Sequence, residues 1–588
     1  MLSNPRFRAA LVSVLILNLI ASPAFLTAQQ PPADVPDITI RANTRLVVVD
    51  VVVTHKNGQP VTGLKPEDFT LEENGKKQKI SVFVPPGIVN TAAPTPVPAG
   101  ILSNHPEDVL PGGTPTVLLL DATNSSFQNQ AYARSQMLKY VTEQSQAGQS
   151  MAVVALTDRL HILQEFTNDP HVLLTAIKNF RPESPILQSA PPSPGTAMPA
   201  DMGGPGRQIG LAIIAAQNEV ASFANLQVGY NIERRTLITI DAMRSLVRIL
   251  GGLPGRKNVV WLTADLPFDL IPEDRNVSDA ELMADLPGQG RQRSAAVNGG
   301  GSLAGESRQL HGEEIKDAES QLASADIAIY PVDLRGLVGG MESLASRSEA
   351  HNNDINGAGL ANAALSQSGR LINSQDTMRE VAQETGGKAY MNENEIRQGV
   401  ALAAADEKAS YAIGYYPENK KWDNKYRSVK VKISQGDTEV RYRKGYFAID
   451  PNLEKNHNYE QDVAAALAIG APATQISFMA QAKPTDPGKM RVIFLVDAHT
   501  LTAEDAGGAK KMNVNLYATV WGSGDKSMAA QSIKVDKSFD AATYQQILDH
   551  GMMVPIDIAI PAGGKELRLA VLDNKTGFIG TVSGPLGQ

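Results

Sequence analysis

Thr116-Val117-Leu118-Leu119-Leu120 runs without a charged break and then meets Asp121-Ala122-Thr123-Asn124-Ser125-Ser126. Four apolar residues in a row, bounded by Pro115 and a polar loop, fit a strand buried on both faces, as in parallel sheets. Open parallel sheets bind ligands at the carboxyl ends of their strands. Asp121-x-Thr123-x-Ser125 therefore aims three hard oxygen donors at one point, a set suited to a divalent cation such as Mg²⁺. The same residues also fit a buried strand whose terminal Asp caps the next helix.

The pattern repeats along the chain. Met151–Leu156 ends in Thr157-Asp158, Asn258–Ala264 in Asp265, and Ala325–Val332 in Asp333. Between these runs lie helical spacings. Ala133, Met137, Tyr140 and Val141 mark a helix over Phe127–Gln144, and Leu173–Phe180 is a shorter one. In Thr236–Leu250, Met243, Leu246, Val247 and Leu250 fall at i, i+3, i+4 and i+7, with Thr236 placed as an N-cap and Gly251-Gly252 as the stop. Asp376–Glu384 reads as a helix halted by Thr385-Gly386-Gly387, and Glu395–Lys408 as another. Alternating strands and helices predict an α/β domain over 115–448, with a doubly wound, mostly parallel sheet. Two stretches interrupt it: 181–207, rich in Pro, Gly and Ser, and 267–319, acidic and then Gly-rich. Ile209–Leu226 between them is apolar enough for a helix.

Flanking segments carry β signals. Leu46–Val53 and the Asn57-Gly58 and Asn74-Gly75 turns predict a small β-domain over 39–84, followed by a linker over 85–114. Strict alternation in Val429–Ile433 and Val440–Arg443 predicts an antiparallel appendage over 410–448. A polar linker, 449–461, leads to 462–588, expected to be a β-sandwich. Its strands are Ile476–Ala480, Met490–Asp497, Met512–Val520, Met553–Ala559 and Glu566–Leu572, and Tyr544–Asp549 hints at a helix. Such a partition agrees with a prior of roughly 150 residues per domain.

At the start, Arg6 and Arg8 precede an apolar run, Ala9–Ile20, and then small residues. This predicts a signal peptide over 1–28, cleaved after Ala28. The run is shorter than the ~20 apolar residues of a membrane span. The expected destination is the periplasm or the exterior, with no membrane span in the mature chain. A net charge of −8, from 54 basic and 62 acidic residues, gives no support for nucleic-acid binding. The absence of Cys excludes disulfides, thiolate metal sites and Cys nucleophiles. No Gly-x-Ser-x-Gly elbow, His-Glu-x-x-His pair or Walker loop occurs.

Asp121-x-Thr123-x-Ser125 resembles the opening of the metal-ion-dependent adhesion site of von Willebrand factor type A domains, Asp-x-Ser-x-Ser, with Thr123 in place of the first Ser. The resemblance implies two further site residues, a Thr on the loop before one helix and an Asp after the following strand. Thr236 or Thr239, and Asp265, match in order and approximate spacing, although Asp265-Leu266 replaces the usual Asp-Gly. The chain also resembles a bacterial, Acidobacteria-type group of such proteins. The shared motifs are Val-x-Gly-Leu-x-x-x-Asp-Phe at Val61–Phe69, Pro-Gly-Arg-Lys at Pro254–Lys257, Ala-x-Glu-Thr-Gly-Gly at Ala382–Gly387 and Gly-Tyr-Tyr-Pro at Gly414–Pro417. This resemblance covers about Thr39 to Ile449 and supplies no activity.

It implies a Mg²⁺ or Mn²⁺ ion held by Asp121, Thr123, Ser125, Thr236 or Thr239, and Asp265, with a protein partner's acidic side chain completing the coordination. The expected function is a non-enzymatic, exported binding module. The alternatives are a structural module without a working metal site, or an exported hydrolase whose site is not legible.

Overall fold

The computed structural model describes residues 46–86, 97–98, 100–144, 150–181, 230–267, 301–335, 374–391, 405–423, 425–448, 458–523 and 526–586. The expected leader, the first insertion beyond Arg181, the helix expected over 209–226, the second insertion over 268–300 and most of the helix expected over 395–408 lie outside the described residues.

The chain is mixed α/β, with one mostly parallel sheet and several antiparallel ones. The parallel sheet runs in the order Ile327–Asp333, Lys257–Thr263, Thr116–Asp121, Met151–Leu156, Leu160–Thr167. Only the last strand is antiparallel to its neighbour. The four parallel strands are buried along their whole length, which explains their unbroken apolar sequences. Leu160–Thr167 is a half-buried edge strand, so it carries no comparable run. Helices Phe127–Gln144 and Pro170–Asn179 cover one face through Met137, Tyr140, Leu173 and Ile177. The helix over 230–250, Gly301–Ser324 and the helix over 374–385 cover the other through Met243, Leu246, Ile315, Leu322 and Met378.

Two expectations change within this unit. The helix over 230–250 is already running before Thr236, so Thr236 is an interior residue and not an N-cap. The second insertion contains the start of Gly301–Ser324, where Ile315, Ala318 and Leu322 are buried at helical spacing. A Cβ on Gly312, in the middle of that helix, would meet open space. Gly312→Ala is therefore expected to stabilise the protein by about 0.5–1 kcal/mol, read as a rise in the urea midpoint.

The two flanking β segments are halves of one sandwich. One sheet orders Thr438–Arg441, Val47–His55, Ser410–Tyr415 and Ile80–Val84. The other orders Gly445–Phe447, Tyr426–Ile433, Phe69–Glu73 and Lys76–Gln78. Val49, Val51, Leu71, Tyr411, Ile413 and Val431 share its core. Tyr415 and Tyr446 each donate a hydroxyl hydrogen bond to the buried Glu73 carboxylate at 2.8 Å.

The expected linker over 85–114 is also partly structural. Ile101–Ser103 pairs with Phe478–Pro484 as a strand of the C-terminal β unit. The buried Asn104 side chain donates to Ala473 and Ile476 carbonyls and accepts from the Phe478 N–H. A strand of three residues in Pro/Gly-rich surroundings leaves no periodic signal. In the same unit, Ser527–Phe539 pairs along Ala509–Trp521 and is largely exposed, so its polar sequence hid it. The polar linker expected over 449–461 gives way at its end to the helix Tyr459–Ile469.

The C-terminal unit is fastened to the parallel-sheet unit where the helix over 230–250 ends. A Cβ on Gly252 would lie 1.7 Å from the Thr474 carbonyl oxygen, so only glycine admits that chain. The Gly252 N–H donates to the Thr474 hydroxyl (3.0 Å), and the Thr474 N–H donates to the Arg248 carbonyl (2.9 Å).

Candidate functional site

Strands Thr116–Asp121 and Lys257–Thr263 are neighbours, so Asp121 and the Thr263–Asp265 turn meet at the sheet's carboxyl edge. Asp121 is fully buried. Its Oδ1 accepts from the Asn124 N–H (2.9 Å). Its Oδ2 accepts from Asn124 Nδ2 (2.9 Å) and Trp261 Nε1 (3.0 Å), and lies 3.0 Å from the Thr263 hydroxyl. That hydroxyl is also 2.6 Å from the Asp265 carbonyl oxygen, and its single proton serves one acceptor at a time. Burial pushes the Asp121 carboxyl above its usual range, and the donors from Asn124, Trp261 and Thr263 pull it back.

The candidate hydroxyls are engaged as well. Thr123 donates towards the carbonyls of Leu156 and Thr157 on the neighbouring strand. Ser125 Oγ accepts from the Ala264 N–H (3.0 Å). Thr239 donates to the Arg235 carbonyl (2.8 Å) and accepts from Asn124 Nδ2 (3.1 Å). Thr236 bonds the carbonyls of Ile232 (2.9 Å) and Pro267 (3.1 Å) instead. Of the two threonines, Thr239 is the one joined to the Asp121 cluster.

Sequence reasoning missed Asn124, Arg235, Trp261 and Thr263. Arg235 is 4% exposed. Its Nε donates to Asn124 Oδ1 (2.8 Å) and its Nη2 to Asp265 Oδ2 (2.9 Å). A continuous path of hydrogen bonds thus runs from Asp121 through Asn124 and Arg235 to Asp265. Asn124 fills the middle position of Thr123-x-Ser125, and Arg235 directly precedes Thr236. Proximity to the motif was the one signal either residue offered. Asn124→Ala strips partners from Asp121, Thr239 and Arg235 together. It is expected to destabilise the protein by about 2–3 kcal/mol in urea unfolding.

As a donor set for a divalent cation, this arrangement does not fit. Asp121 has both oxygens engaged, and the near oxygen of Asp265 faces a guanidinium. A divalent ion about 4 Å from that guanidinium would meet a repulsion of roughly 8 kcal/mol at an effective dielectric constant of about 20. Among the described residues, no group of three His, Asp or Glu side chains is placed to hold a metal ion. The other strand ends are similarly engaged: Asp333 pairs with Arg335 (2.8 Å), and Asp158 is hydrogen-bonded to His161 (2.8 Å). The hydrogen bond from His161 holds Asp158 below its usual range.

The four shared motifs gather elsewhere. Val61, Leu64 and Phe69 lie in the sandwich core, where the Tyr411 hydroxyl donates to the Val61 carbonyl (2.8 Å). Arg256 Nη2 donates to the Tyr330 hydroxyl (3.0 Å) and the Gly386 carbonyl (2.7 Å), at the amino ends of the parallel strands. The Thr385 hydroxyl accepts from the Ile329 N–H (3.0 Å). Gly414 and Tyr415 lie on Ser410–Tyr415, inside the sandwich. Pro254–Lys257 and Ala382–Gly387 thus meet at the edge opposite the Asp121 cluster, while the other two motifs lie within the sandwich.

No family model matches the chain, and no curated protein matches it. Among solved structures, it is similar to an aerotolerance-related membrane protein from Bacteroides fragilis NCTC 9343, crystallised with multiple mutations to serines. Identity is 12%, the TM-score is 0.21, and the match covers 50% of this chain and 100% of that one. Among the described residues, no helix is long and apolar enough to cross a membrane.

Proposed function

We propose that the chain is an exported, non-enzymatic binding protein. In this reading its parallel-sheet unit is a von Willebrand factor type A-like domain that receives a protein partner at the sheet's carboxyl edge. One observation carries the reading: the hydrogen-bonded cluster of the buried Asp121, Asn124 and Arg235 with the part-exposed Asp265 stiffens an edge whose neighbouring segments leave large apolar side chains in solvent. Phe127 is 59% exposed, Tyr230 65% and Leu237 44%. All three lie on helices that start beside or carry cluster residues, and exposed aromatic groups are common anchors of protein interfaces. A rigid base under such anchors lowers the ordering entropy of association.

A photo-crosslinking residue at position 127, compared with one at the exposed Met553, tests the proposal. Capture of one defined envelope protein from position 127, lost in Tyr230→Asp and absent from position 553, is the expected result. Equal capture at both positions, or turnover by the purified mature chain in a hydrolase panel, would overturn it.

A further inference from the structure

We infer that Arg235 is the resident cation of the carboxyl-edge site, standing where the resemblance implies a divalent metal ion. This holds whether or not the edge receives a protein partner. A cation in the place the resemblance implies would be held by the carboxylates of Asp121 and Asp265 and by the oxygens between them. The Arg235 guanidinium is in that place. It is buried, meets Asp265 directly through Nη2, and meets Asp121 through the Asn124 amide. The amide is oriented for this relay, with Oδ1 towards the guanidinium and Nδ2 towards Asp121 and Thr239.

Arginine suits the role because it stays charged in any protein environment and presents donors in a fixed fork. A metal ion would instead need lone pairs, and the Asp265 oxygen nearest the cluster faces the Arg235 guanidinium. The backbone reinforces the same choice, since Ala264 N–H donates to Ser125 and Thr239 donates to the carbonyl of Arg235 itself. The edge therefore keeps its positive centre without depending on the cation content of its surroundings.

Mn²⁺ titration of the mature chain from Gln29 to Gln588 tests this, with the electron paramagnetic resonance signal of free Mn²⁺ and the melting temperature as readouts. The wild type is expected to leave the free Mn²⁺ signal unchanged to millimolar concentration and to melt at the same temperature with and without the ion. Arg235→Ala opens the place between Asn124 and Asp265. It is expected to melt lower in chelator, to take up one Mn²⁺ at least tenfold more tightly than wild type, and to recover stability when it does. Adding Asp121→Asn to Arg235→Ala should abolish that uptake. If Arg235→Ala does not fold, Arg235→Met, which keeps the apolar stem, carries the same comparison. Stoichiometric Mn²⁺ uptake by the wild type that is lost in Asp121→Asn would overturn the inference. So would a folded Arg235 variant that gains no Mn²⁺ site.

Discussion

Gly387→Ala is expected to lower folding stability by about 4 kcal/mol, enough to prevent accumulation of folded protein in a marginal background. Gly386 and Gly387 follow the helix over 374–385, where the Gly387 N–H caps the Ala382 carbonyl (2.7 Å). A Cβ on Gly387 would lie 1.9 Å from the carbonyl oxygen of Ile329 and 2.8 Å from its carbon. Those are backbone atoms of a fully buried strand, so no side-chain rotation relieves the clash. The strand must move off the helix end, which breaks the Ile329–Thr385 hydrogen bond and strains pairing with Lys257–Thr263. Urea unfolding of Gly387→Ala beside Gly436→Ala measures the effect. A Cβ at Gly436 meets nothing within 4 Å, and that variant should stay within about 0.5 kcal/mol of wild type. Equal midpoints for the two variants would refute the close approach.

The second large effect is a dependence of stability on pH. Asp50, on Val47–His55, is 6% exposed and faces Asp326, Arg256 and Lys257. Burial, aided by the Asp326 carboxylate, pushes its carboxyl from 3.8 up to about 8, against the attraction of Arg256 and Lys257. Between those values the folded chain holds a proton that the unfolded chain has lost. The stability from this group is complete below about pH 4 and is lost as pH rises through about 8. The full span is on the order of 6 kcal/mol. Lys257 works in the opposite sense. Burial lowers its affinity for a proton, so folding sheds one and stability rises as pH climbs towards the ordinary lysine range. The wild-type urea midpoint should therefore fall from pH 5 to pH 8, and Asp50→Asn, which keeps the raised carboxyls of Glu319 and Glu380, should fall less steeply. A wild-type midpoint that rises over this range would contradict the assignment.

What the sequence disclosed follows from how each element is buried. Val117–Leu120 and Val259–Leu262 are covered on both faces, so their burial is written directly as apolar runs, and the sheet was legible. Leu160–Thr167 is a half-buried edge strand and Ser527–Phe539 a largely exposed one; their pairing rests on backbone hydrogen bonds, and backbone bonds leave no trace in side-chain pattern. The site was half legible for a related reason. Asp121, Ser125 and Asp265 were recognised by position along the chain, and they do converge. Asn124 and Arg235 have roles that exist only once residues far apart in sequence are adjacent. The shared motifs were recognised as a set, while their division between the sandwich and the opposite sheet edge depended on the fold.

Both β units are assembled from chain that lies before and after the parallel-sheet unit, and this imposes an order on biosynthesis. A ribosome delivers Val47–His55 and Ile101–Ser103 early, yet Ser410–Tyr415 and Phe478–Pro484, their partners, emerge several hundred residues later. Closing such long loops is entropically costly until the intervening chain is compact. Vectorial folding must then proceed from the inside outwards: the parallel sheet first, the sandwich next, the C-terminal unit last. A nascent chain stalled before residue 410 would present three orphan strands, Val47–His55, Ile80–Val84 and Ile101–Ser103, to its surroundings, and the stretches that look like a separable N-terminal module would be the part most in need of a chaperone.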